Sequence, residues 1–268
     1  MPTANTVITT NYHIRPNQAG CHKGSLPVFF SQKLRFNFVE AALSGSLPVA
    51  DTLAALQTLA AAWREAVNPL VLGITGSSGK TTVKEMLAAI LRRQFGEAAV
   101  LATAGNFNNH IGLPLTLLAL RPQQRYAVIE MGMNHFGELD ALTRIACPDA
   151  ALVNNALRAH IGCGFDGVGD IARAKSEIYR GLPESGTALI PAEDEYAEVF
   201  RAACRALSLR QIEFGVDKGE VHAENVRLLP LGCRFDLVWQ NQRAAVELPV
   251  PGKHNVANAV AAAALALQ

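Results

Sequence analysis

Leu70-Val71-Leu72-Gly73-Ile74-Thr75-Gly76-Ser77-Ser78-Gly79-Lys80-Thr81-Thr82-Val83-Lys84-Glu85-Met86 runs from an apolar stretch through a glycine/serine turn into a segment with helical spacing. Residues 71–74 read as a buried strand, and Val83, Leu87, Ile90 and Leu91 fall on one side of the helix that follows. Glycines let the backbone wrap tightly around an anion, the unpaired N–H groups of a helix start point at it, and Lys80 adds a mobile positive charge. Such a loop holds nucleotide phosphates. The Thr81 hydroxyl would face the magnesium ion that accompanies them, with Thr82 beside it. Gly76, Ser77, Ser78, Gly79, Lys80, Thr81 and Thr82 are therefore candidate nucleotide-binding residues. The spacing is a variant, because the usual first glycine, five positions before Gly79, falls on Ile74, with Gly73 one residue early. A plain turn capped by Ser78 could carry the same glycines; the lysine, the threonine and the strand–helix context together favour the phosphate loop.

Composition narrows the class. With 268 residues, 50% of them apolar, the chain can bury a core for one sizeable domain and an appendage. A net charge of +1 gives no electrostatic case for a nucleic-acid or membrane-surface partner. The five cysteines, Cys21, Cys147, Cys163, Cys204 and Cys233, are widely spread, form no Cys-x-x-Cys and read as reduced thiols. The first twenty residues hold no unbroken apolar stretch of the secretory type, and no segment reaches the length of a membrane span. A cytoplasmic location is expected.

Outward from the loop, residues 1–47 are poorly patterned. From Asp51, a helix cap, Leu53, Leu56, Ala60 and Trp63 recur at helical spacing until Pro69, so this helix is expected to pack on the core. Further strands are expected at 98–102, 126–131, 150–154 and 187–190, with helices at 113–120, 137–146, 170–182 and 193–207. Strands alternating with helices predict an α/β fold with a mostly parallel sheet flanked by helices. The texture changes after that, and the short alternating runs 220–228, 234–239 and 244–250 predict a small antiparallel appendage. An alanine-rich helix from Val256 follows.

In an open parallel sheet, loops at the carboxyl ends of strands gather in one crevice. Lys80 and Thr81 after the first strand, Asn108 and Asn109 after the second, Glu130 ending the third and His160 after the fourth are expected to meet there. Three asparagines within 106–109 serve either as a turn or as site residues. Glu130 lies in the apolar Val128-Ile129-Glu130-Met131, where a buried carboxylate needs a metal or a basic partner. His160 reads either as a hydrogen-bonded structural histidine or as a ligand. Lys175 by itself reads as a surface lysine of a helix.

Five motifs in this order resemble the Mur ligases, a family that joins amino acids or dipeptides to peptidoglycan precursors with ATP. They are residues 76–82, the Gly105-Asn106-Phe107-Asn108-Asn109-His110-Ile111-Gly112-Leu113-Pro114 run, Ile129-Glu130-Met131-Gly132-Met133-Asn134, Ala172-Arg173-Ala174-Lys175-Ser176-Glu177, and Pro251-Gly252-Lys253-His254-Asn255-Val256-Ala257-Asn258-Ala259. The Glu-Met-Gly-Met-Asn sequence is most similar to the branch that adds D-alanyl-D-alanine to UDP-N-acetylmuramoyl-tripeptide. The resemblance implies a P-loop NTPase-like central ATP-binding domain over 48–268, incomplete, with 1–47 as a remnant of a UDP-substrate-binding domain and a C-terminal ligase domain missing. It implies ATP and Mg2+ as cofactors, an acyl-phosphate intermediate and a monomeric cytoplasmic enzyme. Lys80 would contact the outer phosphates, with Thr81 and Glu130 on one magnesium and His160 on a second. Lys175, carbamylated, would help hold that second ion. Asn255 would approach the adenine, and Asn108 and Asn109 the phosphate or substrate. The chain by itself is expected to bind ATP and to ligate poorly or not at all. Alternatives are another Mur ligase, a folylpolyglutamate synthetase-like ligase or a non-catalytic ATP-binding remnant. A P-loop kinase or switch NTPase would instead use an aspartate at the metal-binding strand end.

Overall fold

The computed structural model describes residues 49–159 and 164–268; the readings for 1–47 and for His160 fall outside them. The described chain begins with α1 (Thr52–Val67), where the Asp51 side chain accepts the Ala54 N–H and Asn68 ends the helix in a left-handed conformation. Pro69 then turns the chain into β1 (Leu70–Thr75). The phosphate-loop candidate leads into α2 (Lys80–Phe95) and, after a 3-10 turn at Glu97–Ala99, into β2 (Val100–Ala102). Next come α3 (Gly112–Leu118), β3 (Tyr126–Glu130), α4 (Glu138–Ala146) and β4 (Ala150–Val153). The chain continues through α5 (Val168–Ser176), a 3-10 turn at Glu177–Gly181, β5 (Thr187–Pro191), α6 (Ala197–Ala206) and β6 (Arg210–Gly215). It closes with β7 (Val221–Leu229), β8 (Gly232–Trp239), β9 (Gln242–Leu248) and α7 (Lys253–Ala266).

Among the described residues the strands form one nine-stranded sheet in the order β2-β3-β1-β4-β5-β6-β7-β8-β9. Every pair from β2 to β7 is parallel, and β7-β8-β9 is an antiparallel meander. Alternation along the strands sends side chains to opposite faces. Val71 and Ile129 pack with Leu113, Leu117, Leu142 and Phe200 of the α1, α3–α6 layer, while Leu72, Ile74 and Val128 pack with Val83, Leu87, Leu91 and Val260 of α2 and α7. Burial on both faces explains why β1, β3 and β4 read as unbroken apolar runs.

The α/β class and the appended meander agree with expectation, and four local readings are corrected. β6 was not anticipated, because Arg210, Gln211 and Glu213 interrupt its apolar positions. The helix expected over 170–182 ends at Ser176 and tightens into the 3-10 turn. Ile90 is exposed, so α2 packs through Val83, Leu87 and Leu91; α1 likewise buries Ala60 and Arg64 while Leu53 and Trp63 lie outside. Cys147 is disulfide-bonded, whereas Cys204 and Cys233 are free and buried, so the thiols are not uniformly reduced. Sequence spacing says nothing of which sulfur atoms come within bonding reach.

Leu87→Ala should lower the free energy of unfolding by about 2–5 kcal/mol, read as an earlier denaturation midpoint. Ile90→Ala, on the same helix but outside the core, should cost less than about 1 kcal/mol. Equal losses would contradict this packing face.

Candidate functional site: a phosphate loop and a two-lysine cavity

The carboxyl ends of β1, β2, β3 and β4 point to one side because these strands are parallel, and the loops that leave them come together there. Gly79, just before α2, has φ +75, and a Cβ on it would lie 2.5 Å from Asn258 Oδ1 and 2.6 Å from Asn154 Nδ2. Only glycine fits both the conformation and the space. The loop is braced by the segment after β4. Ser77 N–H donates to the Asn155 carbonyl (3.0 Å), Ser78 N–H to Asn155 Oδ1 (2.9 Å), and Asn154 Nδ2 to the Ser78 carbonyl (3.0 Å). Asn154 also donates to Asn258 Oδ1 (3.0 Å), which ties α7 to the loop. The Asp194 carboxylate accepts the Ala156 N–H (2.8 Å) and so anchors this bracing segment to the turn that follows β5. A rigid turn therefore precedes the unpaired N–H groups at the start of α2, an arrangement that favours anions.

Lys80 is the first residue of α2, and its Nζ donates to the Gly76 carbonyl at 2.8 Å. Burial lowers its pKa, opposed by the negative charge of Glu130. Glu130, at the tip of β3, is 2% exposed. One oxygen accepts Thr81 Oγ1–H at 2.9 Å and the other accepts Asn108 Nδ2–H at 2.7 Å. Side chains from the segments after β1 and β2 thus converge on the carboxylate at the end of β3. No group of three or more His, Cys, Asp or Glu side chains placed to hold a metal forms among the described residues. A hydroxyl beside a buried carboxylate is nevertheless a hard-oxygen pair suited to Mg2+ whose other ligands come from phosphates and water.

Lys80, Asn108, Asn109, Gly132, Glu138 and Lys175 line a cavity of about 530 Å³. Lys175, expected on the surface, is only 2% exposed, and no hydrogen bond or ion pair to its amine forms among the described residues. Burial, reinforced by the charge of Lys80, lowers its pKa from 10.5 to about 7. Glu177, two residues on, accepts N–H groups from Gly137 (2.9 Å) and Asp140 (3.4 Å), which fastens the Lys175 segment to the start of α4. Burial raises the pKa of that carboxylate.

The structure thus joins Lys80, Thr81, Asn108 and Glu130 and places Lys175 on the same cavity. Thr82 is half-buried next to Thr81. Asn109 lines the cavity but spends its side-chain oxygen on Ile111 and Gly112 N–H groups at the start of α3, so both readings of the asparagine cluster apply to it. Asn255 is not among the cavity-lining residues, and its amide donates to the Pro251 carbonyl (2.8 Å). Its neighbour one helical turn on, Asn258, is the residue that reaches the loop. Asn154, Asn155, Asn258 and Lys84 were missed; only the i, i+3 spacing of the two α7 asparagines hinted at any of them.

A phosphate loop on a parallel sheet, with a carboxylate at the neighbouring strand tip, defines a nucleotide-binding domain of the P-loop type. The Mur ligase middle-domain model matches residues 74–266, and the chain belongs to the Mur ligase family. It is 44% identical over 222 residues to the UDP-N-acetylmuramoyl-tripeptide--D-alanyl-D-alanine ligase of Haemophilus influenzae, covering 82% of this chain and 48% of that protein. A crystal structure of MurF from Acinetobacter baumannii superposes with a TM-score of 0.78 at 44% identity, covering 82% of this chain and 48% of the other. The MurF ligase of Thermotoga maritima in complex with ADP shares the fold, with a TM-score of 0.68 at 24% identity over 81% of this chain and 49% of its own. The chain spans about half the length of the curated relatives it matches.

The folded protein holds the Lys175 amine neutral above about pH 7, whereas the unfolded chain keeps it protonated up to about 10.5. The unfolded state binds more protons across that window, so this group's burial cost is full below 7 and is relieved as pH rises toward 10.5. Acetylation of Lys175 by acetic anhydride, followed by peptide mass spectrometry, should rise with a midpoint near 7. Lys80→Ala should move that midpoint upward. A midpoint near the ordinary 10.5 in the unmodified chain would contradict the buried placement.

Proposed function

We propose that this chain supplies the ATP-binding and phosphoryl-transfer part of a ligase that adds D-alanyl-D-alanine to UDP-N-acetylmuramoyl-tripeptide. Residues 48–268 are read as the central domain, acting as a monomer in the cytoplasm, and residues 1–47 as a remnant of a UDP-substrate-binding domain. The reading rests on one observation above the others: Lys80, Asn108 and Lys175 face one cavity, and the Glu130–Thr81 pair is hydrogen-bonded to its rim. Likeness to the ligase named from Haemophilus influenzae supports the choice of substrates. The braced loop ahead of α2 supports a nucleoside diphosphate as ligand, and the Thermotoga maritima MurF ligase of the same fold is a complex with ADP.

In this reaction the terminal carboxylate of the peptide attacks the γ-phosphorus of ATP. A new P–O bond forms as the bond to ADP breaks. The amine of D-alanyl-D-alanine then attacks the acyl carbon, a C–N bond forms, inorganic phosphate leaves with the C–O electrons, and the amine gives up a proton. Both partners of the first step are anions, so the site must lower their repulsion before they meet. Lys80 places a cation at the outer phosphates, and the loop N–H groups hold the inner ones. Thr81 and Glu130 would hold Mg2+, which when bound neutralises phosphate charge and polarises the transferring group. Asn108 keeps Glu130 oriented through its 2.7 Å hydrogen bond.

Lys175 has a second chemistry. A neutral amine attacks carbon dioxide: the N–C bond forms as one C–O π pair moves onto oxygen, and the nitrogen releases a proton to solvent to leave a carbamate. That conversion turns the neutral amine into an anion beside Lys80 that would, with His160, hold a second Mg2+. The pKa near 7 makes the neutral form available at ordinary pH.

Isothermal titration with ADP tests the reading. Mg2+ should tighten ADP binding to the unmodified chain, and Glu130→Gln should abolish that gain while leaving metal-free ADP binding within about twofold. Lys80→Ala should weaken both by about tenfold or more. With ATP, UDP-N-acetylmuramoyl-tripeptide and D-alanyl-D-alanine together, phosphate release from this chain should stay well below roughly 1 per second. Turnover at ordinary enzyme rates would show that this half-length suffices for ligation. Failure to bind ADP at all would remove the assignment.

A further inference from the structure

Lys84 is the most deeply buried cation of α2, 1% exposed, and nothing in the reaction above uses it. An ammonium group in such a place is costly unless its N–H groups are satisfied. Its Nζ donates to the Thr103 carbonyl at 2.7 Å and lies 2.8 Å from the Glu85 carboxylate, which is itself mostly in solvent. Thr103 sits one residue beyond β2, where the pairing with β3 would otherwise end at Ala102 opposite Val128. The threonine prolongs that edge. Its N–H donates to the Val128 carbonyl (3.0 Å), and its Oγ1 accepts the backbone N–H of Glu130 (3.0 Å). All three polar groups of Thr103 are thus engaged, and they link the Lys84 amine to the backbone of Glu130.

Spacing along α2 gives this link its consequence. Lys84 follows Thr81 by three residues, on neighbouring turns of the same helix side. Thr81 reaches the Glu130 side chain, and Lys84 reaches the residue that holds the Glu130 backbone. The helix is therefore attached to this edge of the sheet at two points a turn apart, and Glu130 is gripped at main chain and carboxylate together. We propose that Lys84 is a positioning residue which, through Thr103, fixes the separation of Thr81 and Glu130 and so sets the affinity of their site for a divalent cation. This rests on the reading that Thr81 and Glu130 hold the nucleotide's Mg2+.

The test uses the whole chain, ADP, and Mg2+ or Mn2+ as probes. Lys84→Met keeps much of the buried volume and removes the donor. It should reduce the gain in ADP affinity produced by Mg2+ by about tenfold, while metal-free ADP binding stays within about twofold. In the metal-free protein the Glu130 amide should exchange with solvent faster. Thr103→Val, which removes only the hydroxyl, should give the same pair of changes, Thr103→Ser should restore both, and the double variant should lose no more than either single one. The Thr103 pair decides the matter should Lys84→Met fail to fold. An unchanged Mg2+ gain in a folded Lys84→Met, an equal fall in metal-free and metal-dependent binding, or fully additive losses in the double variant would each overturn the proposal. If the unmodified chain shows no Mg2+ gain, the functional reading fails instead. The Glu130 amide exchange then still judges the Lys84–Thr103 link: unchanged exchange in both variants overturns it.

Discussion

A carboxylate buried in an apolar sheet is tolerated only when its oxygens are hydrogen-bonded, and Glu130 meets that condition through groups distant in sequence. Thr81 comes from the N-terminus of α2 and Asn108 from the loop after β2, while Glu130 ends β3. The parallel register of β1 against β3, with Ile74 opposite Glu130, brings the phosphate loop level with the carboxylate. A shift of one residue would turn Glu130 toward the other face of the sheet. The two apolar layers thus do more than stabilise the domain: by fixing the register they fix the site.

The electrostatics of the cavity follow from what surrounds it. Lys80 and Lys175 lie on one cavity and each has its pKa lowered, Lys80 by burial and Lys175 by burial and by Lys80. The space is too poorly solvated to keep two cations side by side, so Lys175 gives up its proton near pH 7 and Lys80 keeps the charge that an incoming anion meets. A triphosphate and a peptide carboxylate are ligands of that kind. Glu130 moderates the charge at Lys80, and the segment carrying Lys175 is pinned by Glu177 to the first turn of α4. Binding strength and geometry are in this way built from the same few groups.

Much of the fold was legible along the chain because local signals and tertiary demands agreed. The helix of residues 80–95 and the alternating β7–β9 segments carry their own periods, while the apolar runs of β1, β3 and β4 read as strands because they are short and bounded by turn residues. β6 carries no such signal. Its polar residues alternate weakly, and its place in the sheet comes from pairing with Pro191 and its neighbours in β5. Lys175 misled for a related reason, since a lysine on a helix is solvated by default and only the packing of α5 against α6 and the 177–181 turn, with Ile171, Ala172 and Ala174 in the core, reverses that.

What the sequence determined alone was chemistry that lies within one turn of chain: a loop able to hold phosphates, a lysine and threonine at its end, and an acidic residue closing an apolar strand. Backbone conformation and residue type suffice for those. The tertiary structure alone decided which distant groups share a cavity, which lysines lose their water, and that Asn154, Asn258 and Lys84 hold the loop and the carboxylate in place. Burial and long-range hydrogen bonding depend on packing between elements, and no local pattern of residues encodes them.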